Sequence, residues 1–467
     1  MLLKNNENQN SQTIYNLIGT IIRTCIGFIT MPIFTRMLGT EQYGKYSVYA
    51  SWLAIFVCVI GFKVESSIGT GFYHFKDSYY KFRTNILLEG TVLSAAVIFI
   101  GIIFSGNIAN LVEFPVRIFI LMLIEAFAQF VISFASSAWL YEKKALYNLV
   151  ISVIVLAATT ILSVALLILM KDTSNLYYAR VFGTAIPQII IAAVILIIFL
   201  GLQKFKYCKE YWIYGLHFGI PIVFHSLSHQ VLSQSDRVMM QKMMISDSEI
   251  GIYSFFYTFA SILTAILGAL NNSWCPFLYD LLDKKDYDKL KIRIKNYVQV
   301  FTILACGFLL LSREVVKLFS SRDYWSGMSI VPILVLVVYC TYTYQFAVNY
   351  EFYNAKPKIV AFGTAFSAIV NIILNLMLIP HYGMYGAAIA TLLSYAALAI
   401  MHIIVVKTWR YERYPLSFVP VFIGLAAVIA VCFIYYFLAE LVIVRWTIGA
   451  ILGIILIFKI KKRKTIF

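Results

Sequence analysis

Arg23 stands near the middle of an apolar run, 14–36, that is long enough to cross a hydrocarbon core. Asn16, Gly19, Arg23, Gly27 and Thr30 recur at three- and four-residue steps and so share one helical face. A guanidinium at that depth is costly unless it looks into water or protein. The chemistry it offers is a two-pronged grip on an anion such as a diphosphate. Snorkelling, or pairing with a carboxylate of another helix, is the plainer alternative, and this helix alone leaves both open. Lys63 and Arg237 are further cations at or near mid-span, while Glu89 and Glu125 are acids of the first half. Lys63 has its own plain alternative, a pair with Glu65 near the membrane face. Arg237 has one too, a pair with Asp236 or another neighbour.

Other polar residues also fall in stripes. Glu125, Gln129, Ser133 and Ser137 are spaced by four, and so are Arg180, Thr184 and Gln188 beside Pro187. His225, His229, Ser233 and Asp236 occupy one face next to Arg237. Tyr253, Tyr257, Ser261 and Thr264 lead to Asn271 and Asn272, and later stripes hold Tyr342, Gln345, Asn349 and then Ser367, Asn371, Asn375. One such stripe reads as interhelical glue; several of them, accompanied by charges, predict a hydrated cavity. His225 and His229 at i, i+4 suggest zinc, but no third ligand stands at a suitable spacing, so neither metal nor cofactor is implied. Titration fits them better, because imidazole changes charge near neutral pH and Asp236 would tune it. That makes Glu125, His229 and Asp236 the candidate ion-coupling residues, although a histidine satisfied by polar neighbours is the simpler reading.

The elements that must position these side chains are transmembrane helices. Of 467 residues, 61% are hydrophobic and 13% charged, which no soluble domain requires. Fourteen spans are expected, at roughly 14–36, 43–63, 84–105, 117–139, 147–170, 176–201, 212–236, 250–275, 294–318, 329–350, 359–379, 384–406, 417–438 and 441–459. Glu440 and Arg445 interrupt the start of the last, and the charged connection 276–293 is expected to be helical. The first run is too long for a signal peptide and reads as a retained span. With both termini in the cytoplasm, 25 of the 38 Lys and Arg residues fall on the inner side, loop after loop. Topology therefore accounts for the net charge of +16, and nucleic acid is not implied as a partner. The basic KIKKRK tail anchors topology first and contacts lipid headgroups second. Seven single cysteines read as apolar filler rather than as a disulfide or zinc framework.

Glu41-Gln42-Tyr43-Gly44-Lys45-Tyr46-Ser47 is echoed 207 residues later by Ser248-Glu249-Ile250-Gly251-Ile252-Tyr253-Ser254, each opening a helix. The repeat partitions this all-α chain into a six-helix half over 1–202, a second over 203–410, and two further helices with the basic tail over 411–467. Repeats of this kind place a substrate site between halves.

The run MPIFTRMLGTEQYGKYSVYASWLAIFVCVIGF (31–62) resembles the opening of bacterial polysaccharide repeat-unit flippases of the Wzx type. These belong to the multidrug/oligosaccharidyl-lipid/polysaccharide exporter (MOP) superfamily. Ser235-Asp236-Arg237 leading into IGIYSFFYTFASIL (250–263), and HYGMYGAAIATLLSY (381–395), follow in the same order. The resemblance implies two pseudo-symmetric lobes in a V around a central cationic cavity, in the bacterial cytoplasmic membrane. It implies export of an undecaprenyl-diphosphate-linked oligosaccharide for O-antigen, capsule or exopolysaccharide by alternating access, coupled to protons or sodium. By the same analogy Arg23, Arg237 and Lys63 would contact the diphosphate, with Tyr257, Asn271, Asn371 and Asn375 meeting sugars. The two extra helices would flank the lipid tail, and a polymerase would be a partner. Arg23 stands where drug exporters of the superfamily often carry a carboxylate, and the Arg-Gly-Asp-like signature of lipid II flippases is absent from Thr20 to Gly27. Two rivals remain. A membrane sugar polymerase or glycosyltransferase would need a large outer loop bearing acids or bases, and the outer loops here are short. A cation-coupled drug exporter would need a mainly acidic cavity.

Overall fold

An apolar chain in lipid must satisfy its backbone internally, and the helix does so within one segment. The computed structural model describes residues 9–201, 206–408 and 417–463, with side chains for 27–201, 206–408 and 417–458; the described residues contain no strand. The helices are α1 (Gln9–Val59), α2 (Ile68–His74), α3 (Tyr79–Ile103), α4 (Ser105–Val112), α5 (Val116–Tyr141), α6 (Ala145–Leu169) and α7 (Tyr177–Gly201). They continue with α8 (Lys209–Lys242), α9 (Asp247–Asp283), α10 (Tyr287–Phe319), α11 (Val331–Tyr353), α12 (Pro357–Thr408), α13 (Val419–Phe437) and α14 (Val442–Arg463).

Among the described residues, 10 stretches are long and apolar enough to cross a membrane, against the fourteen spans expected. The difference has physical causes. Gly27–His74 and Pro357–Thr408 are continuous helical stretches, each covering two of the expected segments. Within them α1 and α12 are each broken by one glycine with positive φ, Gly39 (φ 67°, ψ 178°) and Gly383 (φ 53°, ψ −129°), conformations that a side chain would make prohibitive. α8 carries too many polar residues to qualify by apolarity, and the described apolar part of α14, Val442–Phe458, is short.

The chain divides into two compact units, Met1–Val238 and Met239–Phe467. In the first, α6 packs on both α1 and α7, and α5 packs on α7. In the second, α11 packs along α12, and α10 packs against α13 and α14. The six cysteines whose side chains are described are all free thiols.

The charged connection is helical, as expected. α9 runs through Pro276 to Asp283, and α10 restarts at Tyr287 with Asp286 as its cap. The Asp286 carboxylate holds the Lys289 ammonium at 2.9 Å and accepts the Lys289 backbone N–H at 3.2 Å. Those two bonds, the side-chain one first, keep the Asp286 carboxyl below its usual range. A depressed carboxyl contributes its stability above the unfolded pKa and loses it as pH falls through the folded one. Asp286→Ala is therefore expected to speed amide exchange at Lys289 at neutral pH, with the gap from wild type closing under acid.

The last two helices are joined by a charge that the sequence reading treated as an interruption. Arg445, 1% exposed, donates to the carbonyls of Leu438 (2.9 Å) and Ala439 (3.2 Å), closing the C-terminus of α13. It also donates to the Leu310 carbonyl (3.0 Å) and to both carboxylate oxygens of Glu314 on α10. The charge is thus the bolt that fastens α13 and α14 to α10.

Candidate functional site

Within the first unit, α1, α5 and α7 meet around Glu125. Its carboxylate is 1% exposed and accepts the Tyr49 hydroxyl at 2.6 Å and the Gln188 amide at 3.1 Å. Two turns away on α7, Arg180 donates to Ser163 at 2.8 Å and lies 3.7 Å from the centre of the Phe34 ring. That close approach of α6 and α7 requires Gly183, where a Cβ would collide with the Ser163 backbone. Glu125 of the α5 stripe and Gln188 of the α7 stripe are thus bonded to each other inside the unit. Glu125→Leu would strand the Tyr49 hydroxyl and the Gln188 amide, at about 1–3 kcal/mol for each buried orphan. A lowered melting temperature of the purified protein, largely restored by Glu125→Gln, is the expected result.

Lys63 sits where the second expected span breaks, and this corrects the regular helix read over 43–63. Gly61, Phe62 and Lys63 all have positive φ (71°, 51° and 54°), a left-handed turn inside Ile60–Ser67. Non-glycine residues in that region cost about 1–2 kcal/mol each, so the surroundings must hold them there. Ser66 and Ser67 donate to the carbonyls of Lys63 (2.6 Å) and Val64 (2.7 Å). The ring of Phe130 fills the space left by Gly61 and Gly90. α8 crosses the turn through Gly219, where a Cβ would strike the Phe62 carbonyl oxygen, and passes the Glu89 carboxyl through Gly215. Lys63 reaches Glu65 at 3.6 Å, the plain alternative for this cation.

Further along α8, Asp236 and Arg237 are buried (0% and 5% exposed). Arg237 donates to the Ser233 carbonyl at 3.0 Å and the Gln234 side chain at 3.3 Å, and Gln234 also accepts the Ser51 hydroxyl of α1 at 3.1 Å. His225 and His229, read as sharing a face with Asp236, are exposed, so burial separates them from it. The side chain of Arg23 lies outside the described residues.

In the second unit, Asn271 accepts from Asn349 at 2.9 Å beside Trp274 and Tyr297, whose rings stack at 5.0 Å. Asn375 donates to Asn371 at 3.0 Å, and both are fully buried. Tyr257 is half-buried, its ring 6.0 Å from that of Tyr253. Glu249, from the repeated segment, accepts the Met384 N–H at 2.7 Å and so caps the helix that restarts after Gly383. One buried pair went unread in the sequence: His402 Nδ1 and Glu351 Oε1 are 2.8 Å apart, both at most 1% exposed. Its members are 51 residues apart on α11 and α12, and their spacing carries no periodic signal.

A profile described as "Polysaccharide biosynthesis protein" matches residues 11–282. The chain belongs to this family. The match takes in the first unit from residue 11 onward, including the left-handed turn at Lys63, Glu125 and Arg237. Among individual family-like sequences, the chain is 24% identical to an uncharacterized membrane protein of Haemophilus influenzae, covering 79% of this chain and 92% of that one. Its fold is similar to that of the lipid II flippase MurJ in an inward closed conformation, with a TM-score of 0.75 and 14% identity over 98% of this chain and 100% of the other. It is also similar to an inward-facing multidrug resistance MATE family transporter of the MOP superfamily, with a TM-score of 0.60 and 13% identity over 87% and 95%. A multi-pass helical membrane protein of a polysaccharide biosynthesis family, with a fold like those of MurJ and MATE structures, is thereby established.

Proposed function

We propose that the protein is a flippase that carries an undecaprenyl-diphosphate-linked oligosaccharide repeat unit across the cytoplasmic membrane for assembly of a surface polysaccharide. The observation that carries this reading is the likeness to a lipid II flippase along the full length of both chains, in a member of a polysaccharide biosynthesis family. The MATE likeness is the lower of the two and spans less of this chain, which favours a lipid-linked passenger over a drug. In this reading the chain moves its passenger without chemistry on it, by alternating access of two lobes with both termini in the cytoplasm. Arg23, Lys63 and Arg237 serve the diphosphate, which suits guanidinium and ammonium donors. Tyr257, Asn271, Asn371 and Asn375 serve the sugars, and Glu125, His229 and Asp236 serve ion coupling. The α10–α13 cleft, lined by Val298, Ile303, Ile423 and Ala427 with Lys295 at its edge, suits an acyl or polyprenyl chain.

The test is deletion of the gene in its own host. Surface glycan is expected to vanish while lipid-linked repeat units accumulate facing the cytoplasm, and the intact gene restores export. Polymerisation of lipid-linked sugars by the purified protein alone would overturn the reading.

A further inference from the structure

Glu89 is the one intramembrane acid named above that the site has not absorbed. It lies on α3, is 0% exposed, and neither of its carboxylate oxygens has a hydrogen-bond partner. An ionised carboxylate in that position has neither donor nor counter-charge to offset the loss of water, an arrangement that proteins otherwise avoid. Its surroundings explain why. The bare backbone of Gly215 on α8 lies against the carboxyl, and any Cβ there would strike both it and the side chain of Ile86.

Among the described residues, the charged and titratable groups named here on the neighbouring elements are engaged elsewhere or exposed. On Ile60–Ser67, Lys63 and Glu65 face each other at 3.6 Å. On α5, Glu125 is taken by Tyr49 and Gln188, and Glu142, just past its end, is taken by Arg83 and Lys144. On α8, the Tyr211 hydroxyl bonds Ser78 at 2.9 Å, Tyr214 stacks on His74 of α2 at 5.6 Å, and His217 is exposed. A metal ion would need several ligands around it, and among the described residues no group of three or more His, Cys, Asp or Glu side chains stands together.

We propose that Glu89 is a proton-carrying site, its carboxyl holding a proton while α8 is seated on it through Gly215 and exchanging that proton when α8 draws away. The step is a simple protonation: carboxylate and proton combine, and the reverse releases both. Because Gly215 and Gly219 are one helical turn apart, the withdrawal that opens the carboxyl also lifts α8 from the Phe62 carbonyl of the left-handed turn. Proton exchange and the seating of α8 on the broken helix thus become one event. The proposal rests on the transporter reading for its purpose, and on the packing of Glu89 for its existence.

The experiment uses the full chain in lipid with dicyclohexylcarbodiimide, which modifies protonated carboxyls in apolar surroundings, and locates the adduct by peptide mass spectrometry. An adduct on Glu89 is expected, absent from Glu89→Gln, falling by about tenfold for each pH unit above its midpoint. No adduct at Glu89 in acid with the protein intact, or an adduct indifferent to pH, overturns the proposal. In cells, Glu89→Gln is expected to lower surface glycan by about tenfold at equal protein abundance, in the range usual for coupled sites, and Glu89→Asp to restore part of it. Export by Glu89→Gln at the wild-type level overturns it as well. Labelling as expected, in a protein that exports no glycan in any form, would sink the flippase reading and leave the proton site standing.

Discussion

Arg445→Ala is expected to destabilise the second unit by about 3–5 kcal/mol, the range for removing one partner of a buried ion pair. The guanidinium satisfies two Glu314 oxygens and the carbonyls of Leu310, Leu438 and Ala439. Alanine would leave Glu314, 21% exposed beside the arginine, with its charge unmatched and the end of α13 uncapped. Arg445→Lys keeps the charge but cannot fork across a carboxylate and three carbonyls at once, so an intermediate loss is expected. Thermal unfolding of the full chain in detergent measures both variants, with accelerated proteolysis confined to the last two helices as the local signature. A melting temperature within about 1 °C of wild type for the alanine variant would show that the bolt carries no weight, since a loss of this size shifts a domain by at least several degrees.

Gly219→Leu is the second large effect expected, and it acts where α8 crosses the left-handed turn. A side chain there meets the Phe62 carbonyl oxygen and the Val64 nitrogen, backbone atoms that cannot rotate aside as a flexible side chain would. Overpacking of this kind typically costs about 1–3 kcal/mol, and relief requires α8 to lift from the left-handed turn that it seals. Faster amide exchange across residues 60–67 and loss of surface glycan at near-normal abundance are the expected outcomes. Gly268→Ala on α9, where a Cβ meets nothing within 4 Å, is the matched control and is expected to behave as wild type. Unchanged exchange at residues 60–67 in Gly219→Leu would refute the seating of α8 on this turn.

How much of this was legible in the sequence depends on what each residue needs. Membrane class and helical content followed from apolar runs, because lipid admits few other solutions for the backbone. The sequence echo around Gly44 and Gly251 is a pattern of residue types only. What it positions was not legible: Glu41 bonds its own helix neighbour Lys45, whereas Glu249 caps a helix 135 residues away. Helix breaks were harder. Gly39, Gly61 and Gly383 are single glycines in apolar runs, and glycine does not announce whether its φ will be positive. Of the polar stripe on α5 Glu125 is buried and Ser133 exposed, and the hydrogen-bond acceptance of Glu125 from Tyr49 spans 76 residues and carries no periodic signal. Arg445 shows the opposite failure. Treated as a blemish in an apolar run, it is the most heavily bonded side chain at the end of α13, because a charge that lipid excludes finds its partners within the protein.

The central claim is that the passenger is a lipid-linked, diphosphate-bearing oligosaccharide. The most direct measurement reconstitutes the full chain in vesicles containing an undecaprenyl-diphosphate-linked oligosaccharide and follows, over time, the share of sugar accessible to an impermeant reagent outside. Protein-dependent equilibration of the sugar between leaflets, slowed by Arg237→Ala, is the predicted result. Vesicles in which the intact protein leaves the sugar where it started, while moving a small organic cation across the same bilayer, would contradict the account.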